Sequence, residues 1–232
     1  MTMKSNQASS QRIITLDGPS GAGKGTLGVR LASHFGWHYL DSGALYRIIA
    51  WRAARHQVSV EDARALAELI KETQVSYRID PAQLSYTTWV NGVEVSSAIR
   101  TEQCGQDASA VAKHVTVREA LRSVQQGFAQ APGLVADGRD MGTAIFPQAA
   151  FKFFVDAACE QRAQRRHAQL LAAGHMVAYT EVLADLQARD QRDRNRAVAP
   201  LVPAQDATLI DTTEMTVDEA FAAIRQHIER LS

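Results

Sequence analysis

Gly18-Pro19-Ser20-Gly21-Ala22-Gly23-Lys24-Gly25-Thr26 follows the apolar run Ile13-Ile14-Thr15-Leu16 and precedes a helix-forming segment at 27–35. Strand, glycine-rich loop and helix, in that order, form the context in which Gly-x4-Gly-Lys reads as a phosphate-binding loop. Glycines let successive backbone N–H groups turn inward around an anion, and the helix N-terminus adds the positive end of its dipole. Lys24 then supplies a mobile point charge for the outer phosphates of a nucleoside triphosphate. The alternative, a glycine-rich turn with no ligand, carries little weight against this spacing and these flanks.

The position after the lysine is Gly25, and the hydroxyl comes one residue later at Thr26. Many nucleotide-driven switches place a Mg²⁺-binding hydroxyl directly after the lysine. Gly-Lys-Gly-Thr instead resembles the nucleoside-monophosphate kinases, so the rest of the chain is expected to hold an acceptor site.

Working outward, residues 12–16 read as a strand, 26–35 as a helix stopped by Gly36, and 37–40 as a second strand. Asp41-Ser42-Gly43 turns the chain into a helix over 44–56; as an N-cap either polar residue has a purely structural use. Helix is expected over 61–73. Then β-branched and aromatic residues alternate through 75–79 and 84–90, and Asn91-Gly92 gives a strong hairpin signal. Such a meander has no place in an alternating parallel β/α series. Residues 74–112 are therefore expected to form an inserted nucleotide-binding domain within a core of 12–73 and 113–232.

Helices are expected over 99–112 and 116–130, and a buried strand at 134–136 runs into a second polar loop, Asp137-Gly138-Arg139-Asp140-Met141-Gly142-Thr143. Arg139 and Asp140 read from sequence as a possible surface salt bridge. A strand at 151–156 leads to helices over 159–173 and 180–196. Arg162, Arg165 and Arg166 share one face of the first helix; Arg189, Arg192, Asp193 and Arg196 stripe the second. Arginine outnumbers aspartate there, which favours a nearby anion over a merely solvated face. A final strand at 208–211 and an amphipathic helix at 217–231 complete the series.

The chain has 232 residues, room for one α/β domain with an insertion, and zero formal net charge, so no global charge favours nucleic acid or an anionic membrane. Of 25 basic residues only five are lysine, leaving 20 arginines, the better side chain for gripping phosphate. Cys104 and Cys159 are too few for a disulfide framework or a zinc site and are expected to be reduced thiols of a cytoplasmic protein. Residues 1–11 are polar, lack the apolar core of a signal peptide and are expected to be a disordered tail.

Four segments together, 17–26, Leu40-Asp-Ser-Gly-Ala-Leu-Tyr-Arg47, 137–143 and Arg189-Asp-Gln-Arg-Asp-Arg-Asn-Arg196, resemble the bacterial cytidylate kinases from about residue 12 to the C-terminus. The resemblance implies an α/β P-loop kinase core: a five-stranded parallel sheet flanked by helices, a small antiparallel nucleotide-binding insert and a short lid at about 159–196. It implies ATP on Gly18 to Thr26, with Ser42, Arg47, Arg139 and Arg196 around the acceptor phosphate. Ser109, Arg118 and Asp140 are implied to read cytosine, Arg189 and Asp193 to contact the sugar, and Arg162 and Arg166 to be lid arginines. Lys24, Arg139, Arg189 and Arg196 are the implied catalytic cations. Mg²⁺ arrives with ATP, near Thr26 or Asp137, with no direct protein metal site. ATP and CMP or dCMP are the implied partners of a monomer, with no nucleic acid and no membrane. Two rivals stand beside this: a kinase of the same fold with another acceptor, and a nucleotide switch without turnover. The chain has no Asn-Lys-x-Asp guanine-reading sequence to support the second.

Overall fold

The computed structural model describes residues 12–231; the tail expected at 1–11 lies outside the described residues. β1 (Ile13–Asp17) and β6 (Leu134–Gly138) are buried along their whole length, as central parallel strands covered on both faces must be. With β2 (His38–Asp41), β7 (Phe151–Asp156) and β8 (Thr208–Asp211) they form one five-stranded sheet in the order β2-β6-β1-β7-β8, with every pairing parallel. β1 is central, with β6 on one side and β7 on the other, so the connections leave it in opposite directions. That reversal opens a crevice beyond the carboxyl ends of the strands. The register brings Asp17 opposite Gly138 and Asp41 opposite Asp137, so three polar loops emerge side by side.

Eight α-helices complete the described chain: α1 (Lys24–Phe35), α2 (Ser42–Arg55), α3 (Ala63–Lys71), α4 (Glu102–Val111), α5 (Val115–Gln126), α6 (Cys159–Ala172), α7 (Tyr179–Arg194) and α8 (Val217–Leu231). Side chains alternate across the strands and divide the core. Ile13, Leu40, Leu134 and Ala136 pack with Leu45, Ile49, Leu66 and Leu121 on one face. Ile14, Leu16, Val135 and Phe153 pack with Leu27, Leu31, Ile224 and Ile228 on the other. Each such large aliphatic side chain contributes roughly 1.5–3 kcal/mol by leaving water. A small separate cluster, Ala163, Val182 and Leu186, joins α6 to α7.

The expected meander is present: β3 (Val75–Asp80), β4 (Ser85–Val90) and β5 (Val93–Glu94) form an antiparallel sheet in sequence order. Asn91 and Gly92 both take positive φ, 49° and 81°, as a tight hairpin with the strands' own twist requires. This sheet docks on β2 through tyrosines. The Tyr77 hydroxyl donates to the Asp41 carbonyl at 2.8 Å, the Tyr86 hydroxyl to the Asp41 carboxylate at 2.5 Å, and both rings pack against Tyr39.

Several boundaries differ from expectation for local reasons. α2 begins at Ser42 because the Asp41 carboxylate accepts the Ala44 N–H at 2.9 Å. The helix expected over 99–112 is split into a 3₁₀ turn and α4, because Thr101 is extended and its hydroxyl caps α4 by accepting from the Cys104 N–H. The helix expected to reach 130 stops at Gln126. α7 ends at Arg194, so Arg196 lies beyond the helix and not on its stripe.

Candidate active site

The phosphate loop is shaped by close approach. Gly18 has φ 145°, and a Cβ there would lie 1.9 Å from the Val155 carbonyl oxygen, so no side chain fits. Gly23, at φ 93°, precedes Lys24, which is the first residue of α1 and places its ammonium at the helix's positive end. The Lys24 ammonium donates to the Pro19 carbonyl at 2.6 Å and so lies back across its own loop. Gly25 is not demanded by space: a Cβ would rest 3.6 Å from an Asp137 carboxylate oxygen, an ordinary contact.

Asp17, passed over in the sequence as a strand end, ties this loop to the next. Its two carboxylate oxygens accept the Met141 and Gly142 N–H groups at 2.8 and 2.7 Å. They anchor a π-helical turn, Met141–Ile145, that sequence patterning did not foresee. Burial nevertheless pushes the Asp17 carboxyl up to about 6, against those two hydrogen bonds. Burial likewise raises Asp137, whose carboxylate accepts from the Tyr39 hydroxyl at 3.3 Å. Lys24 is lowered, chiefly by burial and then by the Arg139 guanidinium, while Asp137 and Asp17 oppose the shift.

Beside the loop opens a cavity of about 670 Å³, within the range of small-molecule sites. Ser42, Arg47, Ser109, Arg118, Arg139, Asp140, Arg189, Asp193 and Arg196 all line it, drawn from α2, α4, α5, the loop after β6, and α7 with its end. Tyr46, Lys113, Arg192 and Asn195 also face it and were given no site role in the sequence. Tyr46 sits inside the quoted 40–47 segment, Arg192 on the recognised stripe and Asn195 inside the quoted 189–196 segment; Lys113 carries no sequence signal.

The acidic and basic groups pair differently from the expectation. Arg139 does not bridge Asp140: it donates from Nε to Asp193 at 2.9 Å, and Asp140 forms a buried ion pair with Arg118. The first pair ties the loop after β6 to α7, and the second ties it to α5. Burial works to raise Asp193, but Arg139 and Arg196 outweigh it and hold its carboxyl below the usual value. Arg47 spends one nitrogen on the Ile99 and Thr101 carbonyls, and its guanidinium lies so close to Gly105 that a Cβ there would come within 2.7 Å.

Two arginines carry buried nitrogens with no hydrogen-bond partner, Arg189 Nε and Arg196 Nη2, although the second lies 3.6 Å from an Asp193 carboxylate oxygen as a longer ion pair. Burial, then repulsion from Arg139, pushes Arg189 down to about 10, still charged at neutral pH. Unpartnered buried guanidinium nitrogens are costly unless an anion completes them. These donors share the cavity with Arg139, whose charge in turn reaches Lys24. The site therefore joins a triphosphate loop to a second, arginine-lined pocket, the arrangement a phosphoryl donor and acceptor need.

The cytidylate kinase family model matches residues 14–230. This chain belongs to the cytidylate kinase family. The cytidylate kinase of Aeromonas salmonicida is 48% identical over 218 residues, 94% of each chain. That of Burkholderia ambifaria is 50% identical over 214 residues, 92% of this chain and 91% of its own. A gluconokinase structure from Sinorhizobium meliloti overlays with a TM-score of 0.43 at 15% identity, covering 96% of this chain and 95% of its own, a likeness too distant to inform the site.

Within this family fold the two arginines expected on a lid behave unalike. Arg162 is 2% exposed and donates to the Ala157 and Ser20 carbonyls and to Asp190, at 2.9, 3.0 and 2.5 Å. It braces the phosphate loop against α7 and is not free to act as a lid cation in this conformation. Arg166 is half-buried on the same helix. Arg165 is turned to the Thr212 carbonyl at 2.6 Å, so the three arginines do not act as one face. No described helix is long and apolar enough to cross a membrane, and both cysteines are free.

Proposed function

We propose that this chain transfers the γ-phosphoryl group of ATP to CMP and dCMP, giving ADP and CDP or dCDP. The observation that carries it is an arginine-lined cavity whose Arg139 and Arg189 act electrostatically on Lys24 of the phosphate loop, and in which the buried Arg189 Nε has no hydrogen-bond partner. The phosphate loop takes the donor, Arg47, Arg139 and Arg196 the acceptor phosphate, and Arg189 with Asp193 the sugar. Ser109, Arg118 and Asp140 face the base.

A nucleoside monophosphate is already largely dianionic at neutral pH and needs no general base to attack. The work is to hold two polyanions in line and to match charge as it shifts from donor to acceptor. Lys24 leaves the Pro19 carbonyl for the outer phosphates, and an anion supplies the partner that its buried ammonium lacks. Arg139, fixed by Asp193, and Arg189 then flank the transferring group. Charge on fixed, desolvated donors costs no reorganisation at the moment of transfer.

Oxygen donors near the loop, the Asp137 carboxylate and the exposed Thr26 hydroxyl, suit a hard cation such as Mg²⁺. Burial raises the Asp137 carboxyl first, Asp41 and Asp17 add to it, and Lys24 opposes it; a bound cation would act in the same sense as Lys24. Mg²⁺ bound with ATP supplies charge neutralisation of the phosphates. Among the described residues no cluster of three His, Cys, Asp or Glu side chains forms a cage of its own. We further propose that the enzyme works in the cytoplasm as a monomer.

Incubation with Mg-ATP and CMP, followed by phosphorus NMR, should show the new β-phosphorus of CDP. ADP formation at the same rate without CMP would mean hydrolysis and overturn the assignment.

A further inference from the structure

Ser42 lines the acceptor cavity, yet its hydroxyl is committed elsewhere. Its Oγ donates to Gln125 Oε1 at 2.7 Å, and Gln125, near the end of α5, is wholly buried. The Gln125 amide donates in turn from Nε2 to the Leu121 carbonyl at 3.2 Å. That carbonyl can only accept. Turning the amide over would set two acceptor oxygens against each other, so Oε1 must face Ser42 and the Ser42 proton must point at it. What Ser42 offers the cavity is then a lone pair.

We propose that Gln125 is a positioning residue for specificity: it fixes Ser42 as a hydrogen-bond acceptor, so that Ser42 receives an N–H or O–H of the acceptor nucleotide and not a phosphate oxygen. This rests on the acceptor-site assignment above and revises one part of it, the expectation that Ser42 helps hold the acceptor phosphate. A phosphate dianion has no proton to give. To donate to it, Ser42 would have to abandon Gln125 and leave a buried amide oxygen unpaired, which costs about tenfold or more in binding. A donor on the substrate meets the lone pair with no rearrangement. Two groups of a cytidine monophosphate are the donors proposed, the exocyclic amine of the base and the 2′-hydroxyl of the sugar.

The test uses the full-length enzyme and the ratios of kcat/KM for CMP over UMP and for CMP over dCMP. UMP replaces the amine by a carbonyl, and dCMP lacks the 2′-hydroxyl. Gln125→Met keeps the length of the side chain and frees the Ser42 proton; one of the two ratios should fall about tenfold, and which one falls identifies the donor. Gln125→Glu should keep both ratios below the pKa of its buried carboxyl, since the neutral acid donates its O–H to the Leu121 carbonyl and leaves an oxygen for Ser42 to donate to. Ser42→Ala should lower the same ratio, and adding Gln125→Met to it should change nothing further. A purely structural role for Gln125 would shift the melting temperature and lower all acceptors alike. Folded Gln125→Met with both ratios within twofold of wild type would overturn the proposal. So would a Gln125→Glu enzyme that, below that pKa, loses discrimination as Gln125→Met does. If Gln125→Met does not fold, unchanged ratios in Ser42→Ala overturn it instead. Failure of the wild-type enzyme to phosphorylate CMP at all would overturn the acceptor assignment as well.

Discussion

Lys24 is a buried ammonium whose one hydrogen bond in this structure is to its own loop, at the Pro19 carbonyl. An alanine there removes the cation nearest the donor phosphates while sparing the cavity, so kcat should fall by about 10²–10³ with the fold intact. Steady-state kinetics beside a melting curve checks this, and near-normal turnover would remove Lys24 from the mechanism. Asp140 is held by Arg118 in a buried pair. Asp140→Ala should cost about 3–5 kcal/mol of stability by stranding the guanidinium. It should also lower the CMP-to-UMP preference by at least tenfold, because a carboxylate favours an amine over a carbonyl. Asp17 gives a pH signature. Its folded carboxyl lies near 6 against an ordinary 3.8, so protonation favours the folded state. The stability this supplies is fully present below about pH 4 and is lost as pH rises through 6, on the order of 3 kcal/mol. Asp17→Asn should abolish that part of the decline, so the variant gains on wild type between pH 4 and 7 in urea titrations. Parallel curves would show that Asp17 does not titrate there. At this scale the segments that carry the family resemblance were informative: each of the nine acceptor candidates it names lines one cavity, whether on a helix or in a loop. Pairing was not legible. Arg139 and Asp140 are neighbours in sequence, but consecutive side chains diverge, and each found a partner on a different helix. Gln125 was invisible for a related reason, since nothing in a helical pattern marks the one buried position that meets Ser42 across 83 residues.

The elements that carry these residues were mostly readable from periodicity and punctuation. Strands with continuous apolar runs, the Asn91-Gly92 hairpin and the Gly36 stop all act locally, through φ preferences and burial patterns. What failed was decided by longer-range contact. The π turn at Met141–Ile145 exists because Asp17, on another strand, captures two of its N–H groups. Arg162, a lid arginine by the family resemblance, is held here against the phosphate loop and α7 by contacts that its helical spacing does not announce. The small sheet's docking is likewise tertiary. Tyr86 and Tyr77 reach Asp41, the cap of the helix that carries Ser42 and Arg47. Tyr86→Phe keeps the ring and deletes the hydroxyl, which should cost about 1–2 kcal/mol. It should also raise KM for the acceptor several-fold with little change in KM for ATP. Equal effects on both substrates would mean that the contact serves stability alone.

For the whole molecule, donor and acceptor meet because the sheet order reverses at β1. The phosphate loop leaves the end of that strand, and the Asp137 to Thr143 loop leaves β6 beside it. The family assignment and the cavity's charge then converge on phosphoryl transfer to a cytidine monophosphate. The most direct test of that claim is ADP release, coupled to NADH oxidation, with CMP, dCMP, UMP, AMP and GMP compared as acceptors at equal Mg-ATP. CMP should give the highest kcat/KM and dCMP should follow it, with UMP at least tenfold lower and both purine nucleotides near background. Turnover favouring AMP, GMP or UMP, or no turnover with CMP, would contradict the account.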